Sequence, residues 1–151
     1  ATTPADARAA AGKTAVDLAG GERLVLEEEA LLRAAVKYGP AVAHTAAMYR
    51  YLVDRLGEGG FQLEVSVDET DSPTTPAQHL YVASELARLG VRWVSLAPRF
   101  VGRFEKGVDY IGDLEELERT FVQHLAIARA LGDYKISLHS GRFSSASSIL
   151  F

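Results

Sequence analysis

The sequence predicts an α/β fold, a portion of a (β/α)8 TIM-like barrel with about three parallel strands and intervening helices. Three observations predict it. Short runs alternate apolar and polar residues with period two, longer runs between them repeat apolar residues at helical spacing, and a glycine follows each helical run.

After Gly20-Gly21, the stretch from about Glu27 to Leu56 places Leu31, Ala34, Ala35 and Tyr38 at helical intervals. Gly39-Pro40 is expected to divide this stretch into two helices. Gly57, Gly59 and Gly60 end it. In FQLEVSVD, Phe61, Leu63, Val65 and Val67 alternate with Gln62, Glu64, Ser66 and Asp68, which reads as a strand. Thr75-Pro76 supplies a cap and a first-turn proline for a second helix, whose apolar series Leu80, Ala83, Leu86, Ala87 runs to Gly90. VRWVSLAP is the second strand. Asp113 caps a third helix carrying Leu114, Leu117, Phe121, Leu125 and Ala128 as far as Gly132, and YKISLH is the third strand.

Helices between successive strands require parallel pairing through right-handed crossovers. The strands begin about 30 and then about 43 residues apart, a spacing typical of a barrel. Eight such units need ~250 residues, and only three are present. Residues 1–23 are expected to be a flexible or fragmentary N-terminal segment, 24–141 the partial barrel, and 142–151 an atypical Ser-rich tail. The first residue is not Met, so a piece of a longer chain is expected.

An apolar fraction of 48% is enough for a real core. Lys and Arg number 16 against 20 Asp and Glu, without the basic excess a nucleic-acid binder needs. There is no cysteine for disulfides or thiolate metal sites, and no apolar run long enough for a membrane span. A cytoplasmic protein without nucleic-acid or membrane partners is the expectation. Phosphate-loop, dinucleotide and serine-elbow motifs are also absent.

In a barrel the apolar face of each strand meets the helices and the other face looks into the lumen. Glu64, Ser66 and Asp68 then point inward from the first strand, and Lys135, Ser137 and His139 from the third. The second strand reads either way, and Ser95 is favoured inside. At the carboxyl ends of the strands, where barrel active sites lie, Asp68, Glu69, Arg99, His139 and Ser140 converge. Carboxylates crowded near a histidine need a compensating cation, and a divalent metal with oxygen and nitrogen ligands is the usual one.

Plainer readings stand beside these. Asp68, Glu69 and Asp71 could form a solvated loop whose Asp71 and Ser72 cap the next helix. Glu64 and Lys135 could be an internal ion pair, and His139 a satisfied lumen histidine. His44, His79 and His124 lie within helices and read as packing or surface residues, with His79 able to line the loop. Arg99 and Arg103 are rim charges or a bidentate clamp for a substrate carboxylate.

KYGPAVAHTAAMYRYL, EVSVDETDSPTTPAQH, VSLAPRFVGRFEKGVDYIGDLEE and YKISLHSG together resemble the tagaturonate/fructuronate epimerases, or hexuronate 4-epimerases, over roughly Leu24 to Gly141. The resemblance implies a bacterial or archaeal cytoplasmic, divalent-metal-dependent barrel enzyme of hexuronate catabolism, about three times longer than this chain. The family pattern continues after its HSG triplet with Ser-Asp-Lys-Phe, whereas Arg142-Phe143-Ser144-Ser145 follows here.

The activity so implied is inversion at carbon 4 of a 2-ketohexuronate. That C–H bond is not adjacent to the ketone, so retro-aldol cleavage between carbons 3 and 4 is the economical route. Glu64 or Glu69 would move the proton. His139 with Asp68 or Glu69 would hold the metal, with Mn, Co, Ni or Zn as candidates. Ser66, Lys135 and Ser137 would contact the enediolate or hydroxyls, Arg99 would take the carboxylate, and Ser95 and Ser140 complete the substrate-binding set. Two other readings remain: another metal-dependent barrel isomerase or aldolase, and an inactive fragment that binds a sugar acid or self-associates through its exposed barrel edge.

Overall fold

The computed structural model describes residues 14–18, 21–103, 110–139 and 149–150. The chain opens with an antiparallel pair, β1 (Ala15–Asp17) and β2 (Arg23–Val25), in which Val16 stands opposite Leu24. Val16, Leu18 and Leu26 are buried, and the pair packs on the later helices. Part of the 1–23 segment is thus a structured strand, because its short apolar alternation finds a helix surface to cover.

Helix α1 (Glu28–Leu56) is one continuous helix with Pro40 inside it. The expected division at Gly39-Pro40 is corrected here. Proline removes one backbone hydrogen bond and crowds the preceding turn, but the buried stripe Leu31, Ala34, Tyr38, Val42, Ala46, Tyr49 runs straight through it. Val36, whose carbonyl loses its partner, is 83% exposed and on the solvent side. Packing of the stripe along the next helix holds both halves in one axis.

That helix, α2 (Pro76–Arg88), starts at the expected cap. The Thr75 hydroxyl accepts from the Gln78 amide at 3.2 Å and the Gln78 side chain accepts from the Thr75 amide at 3.1 Å, a reciprocal capping box. It is buried nearly all round, through Leu80, Tyr81, Val82, Ala83 and Leu86. Helix α3 (Leu114–Leu131) begins at Asp113, whose carboxylate accepts from the Glu116 amide at 3.0 Å.

Three strands, β3 (Glu64–Ser66), β4 (Ser95–Ala97) and β5 (Lys135–Leu138), alternate with α2 and α3 and pair parallel in that order. The α/β segment is built as a portion of a (β/α)8 barrel would be. The strands are shorter than their alternation suggests, although the bonds from Val94 N–H to Leu63 and from Val67 N–H to Ala97 extend the ladder at both ends. In register, Val65, Leu96 and Ile136 form one buried row towards the helices, while Glu64, Ser95 and Lys135 form the row on the other side. This settles the ambiguous middle strand in favour of Ser95 inward.

Strand β6 (Ile149–Leu150) pairs antiparallel with β5, Leu150 opposite Ser137. The outer edge of β5 is therefore covered, and that of β3 has no partner among the described residues. Among those residues no helix is long and apolar enough to cross a membrane.

Candidate active site

Strand parity decides which side chains meet. Ser95 and Ser137 stand on the same side of the sheet as Glu64, and both hydroxyls donate to Glu64 Oε2, at 2.6 and 2.7 Å. Glu64 Oε1 lies 2.9 Å from His139 Nε2. The other ring nitrogen, Nδ1, is 3.2 Å from Asp68 Oδ2, and Ser66 donates to the second oxygen of Asp68. Six residues from three strands and the turns that follow them thus share one polar cluster, running from Glu64 and Ser95 at the starts of β3 and β4 to Asp68 and His139 just past the carboxyl ends of β3 and β5.

The cluster is half open. Glu64, His139 and Asp68 side chains retain 35%, 26% and 23% of their exposure, while Ser95 and Ser137 are buried. Partial burial pushes the Glu64 carboxyl up, but the bonds from Ser95, Ser137 and His139, with the attraction of the His139 ring, outweigh it and hold the carboxyl below its ordinary value of 4.5. Glu64 is therefore a carboxylate kept ionised by its three donors.

His139 is constrained by what it faces. Both nitrogens meet carboxylate oxygens, and both contacts are hydrogen bonds at once only when both nitrogens carry hydrogen. Asp68 and His139 are an oxygen and a nitrogen donor of the kind a divalent ion takes. They are turned onto each other, however, and among the described residues no three His, Asp or Glu side chains are grouped to hold one ion.

The other candidates separate. Lys135 is exposed and makes no ion pair with Glu64, so the internal Glu64–Lys135 pair is not formed. Glu69 is exposed, one residue past Asp68 and on the opposite parity. Ser140 lies outside the described residues. The Arg99 guanidinium is half-buried and donates through Nη1 to the Thr70 carbonyl, and Arg103 is exposed in an isolated bridge to Ile111.

The acidic loop after β3 is pinned rather than free. Besides Arg99 on Thr70, Lys37 Nζ reaches the Ser72 hydroxyl and carbonyl at 3.0 and 3.3 Å. Ser72 therefore serves α1, and Thr75 caps α2 instead of Asp71 or Ser72. Buried Thr74 was hidden in a Pro-Thr-Thr-Pro run that reads simply as loop. A cleft of about 200 Å³ opens beside it, walled by Thr74, Arg99, Phe100 and Arg119 and floored by His124. Of the candidate residues that the structure describes, only Arg99 lines this cleft, while the Glu64 cluster lies on the open sheet face.

The profile of the tagaturonate epimerase family matches residues 9–147. The chain belongs to that family. It is 49% identical over 121 residues to the tagaturonate/fructuronate epimerase of Thermotoga maritima, an alignment covering 80% of this chain and 25% of that protein. The native crystal structure of the fructuronate-tagaturonate epimerase UxaE from Cohnella laeviribosi superposes with a TM-score of 0.69 at 38% identity, over 81% of this chain and 24% of the other. A glycerol complex of the same enzyme gives 0.73 at 35% identity, over 92% and 29%. The chain thus spans about a quarter of the length of the family members it matches.

Proposed function

We propose that this chain is a segment of a tagaturonate/fructuronate epimerase, an isomerase inverting carbon 4 of a hexuronate, and that the Glu64, Ser95, Ser137, His139 and Asp68 cluster is its reacting wall. The observation that carries this reading is the Glu64–His139–Asp68 arrangement on the open face of parallel strands, in a chain of that family.

Retro-aldol chemistry places demands that these side chains can meet. A base takes the carbon-4 hydroxyl proton, the carbon-4 oxygen becomes an aldehyde carbonyl, and the carbon 3–4 bonding pair moves to give an enediolate at carbons 2 and 3. The aldehyde rotates, and re-addition with return of the proton gives the epimer. His139, in its neutral form with one nitrogen released from its carboxylate partner, is the group suited to take that proton and return it. Glu64 fixes the ring, and as a bonded, ionised carboxylate it stabilises the charged imidazole. Exposed Lys135, register partner of Ser95, supplies a cation for the enediolate, and Ser66 offers a hydroxyl for the substrate. Arg99 takes the substrate carboxylate in bidentate fashion. Glu69, exposed beyond the strand, is the weaker candidate for the base.

A divalent metal remains a separate proposal, with Asp68 and His139 as the ligands this chain would contribute once they release each other. Association through the β3 edge, which has no partner among the described residues, and a cytoplasmic setting belong to the same reading. The test is incubation with tagaturonate in deuterated water, with and without added Mn, Co, Ni or Zn, followed by NMR. Fructuronate without deuterium at carbon 4 is the expected product. Deuterium at carbon 4 overturns the retro-aldol route. Binding by calorimetry without turnover reduces the chain to a sugar-acid-binding segment.

A further inference from the structure

A second polar group lies inside the helix layer, away from the reacting wall. His79 on α2, His124 on α3 and Tyr134 before β5 are 0%, 0% and 6% exposed. His79 Nδ1 is 2.8 Å from His124 Nδ1, His79 Nε2 is 2.6 Å from the Tyr134 hydroxyl, and His124 Nε2 is 3.2 Å from the Thr74 carbonyl. His79 and His124 are thus satisfied packing residues, and their bonds end on a loop.

Only one distribution of hydrogens satisfies the whole chain with neutral rings. A carbonyl can only accept, so His124 Nε2 carries its hydrogen and Nδ1 is bare. His79 Nδ1 must then donate to it, which leaves His79 Nε2 to accept from Tyr134. Burial pushes His79 well below its usual range. Burial also pushes His124 down to about 4, against the opposing pull of the Thr74 bond, so neutral rings are the resting state. The direction runs from Tyr134 to Thr74.

Thr74 is where the two mouth loops are joined. Its amide donates to the Arg99 carbonyl at 2.7 Å, and its hydroxyl accepts the Arg99 amide at 3.0 Å while sharing a 3.1 Å bond with Tyr38. On the far side of Arg99, the Phe100 ring meets His124 edge-on at 5.2 Å. His124 therefore braces the residues on both sides of Arg99.

We infer that Tyr134, His79 and His124 are positioning residues, a one-way hydrogen-bond relay that sets the Thr74–Arg99 clamp and with it the place where a sugar-acid carboxylate binds. The carboxylate half rests on the role proposed for Arg99. Apolar residues of equal size could fill this space without needing partners, and the relay ends at the one carbonyl adjoining the clamp.

The experiment uses this chain. Long-range 15N–1H NMR should find His79 in the Nδ1–H form and His124 in the Nε2–H form; the opposite tautomer in either ring overturns the relay. His124→Leu should raise the exchange rate of the Arg99 amide about tenfold more than that of core amides such as Leu80. It should also weaken tagaturonate binding about tenfold, the loss of one positioned hydrogen bond. His124→Gln, whose amide can donate to Thr74, should recover much of both. A uniform rise across the core overturns positioning in favour of packing alone. Absence of tagaturonate binding by the unaltered chain, with the tautomers as stated, overturns the carboxylate assignment while the clamp stands.

Discussion

Glu64 and His139, 75 residues apart in the chain, meet at 2.9 Å between Oε1 and Nε2. The contact joins β3 to the end of β5 across β4, and it exists because three strands in register place like parity on one face. Replacing Glu64 with Gln removes the charge that holds the ring and sets an amide against one of its donors. In a full-length relative, at the aligned position, turnover is expected to fall about 10²–10⁴-fold, the range for a lost acid–base partner. Far-UV circular dichroism should be unchanged. Near-normal turnover would remove Glu64 from the mechanism.

Ser95 and Ser137 control the same carboxylate from its other oxygen. Burial alone would raise the Glu64 midpoint, and the hydroxyls are the largest of the contributions that lower it. Ser95→Ala and Ser137→Ala should each move the midpoint up, and the double variant further, as read from the Glu64 carboxyl carbon by NMR titration. The linked stability has a definite sign. A folded value below the unfolded 4.5 stabilises the protein above that pH, and the gain disappears as pH falls through the folded value. The double variant should lose that gain. A midpoint that stays put would mean the serines are spectators.

How far the sequence carries the reader depends on the range of the interaction. Parity along a strand is local, so Glu64, Ser137 and His139 could be assigned to one face before any coordinates, whereas Ser95, on a strand that alternates less clearly, is only favoured there. The same rule separates Asp68, which reaches His139, from Glu69, which does not. Caps at Thr75 and Asp113 are equally local. Continuation of α1 through Pro40 is not, because it depends on a stripe packing against a helix tens of residues away. Thr74, His79, His124 and Tyr134 come from four separate stretches, and no spacing rule links a loop threonine to a tyrosine 60 positions later.

Pro40 offers a direct test of that balance. An interior proline costs a helix about 3 kcal/mol relative to alanine, part of which is offset by the narrower unfolded ensemble, about 0.4–1 kcal/mol. Pro40 is exposed and its ring is not part of the buried stripe. Pro40→Ala is therefore expected to stabilise the chain by about 2–2.5 kcal/mol in urea unfolding, with no gain in helix content by circular dichroism. A large rise in helicity would mean that α1 is divided in solution after all.

The buried histidines set an acid limit on the fold. Both rings are neutral when folded, and their values lie below the unfolded 6.5, with His124 at about 4. As pH falls below 6.5 the unfolded chain takes up protons that the folded chain refuses, so stability drops with decreasing pH. For His124 the drop continues to about pH 4 and amounts to something on the order of 3 kcal/mol, with His79 adding in the same direction. Protonation of His124 would also place two N–H groups face to face across the 2.8 Å contact, and protonation of His79 would set an N–H against the Tyr134 hydroxyl. Urea midpoints should therefore fall steadily between pH 6.5 and 4.5. A His79→Phe, His124→Leu double variant should show a flatter profile across that interval, even where it is less stable at pH 7. An unaltered chain whose midpoint does not move between pH 6.5 and 5 would show that these rings are not held neutral by burial.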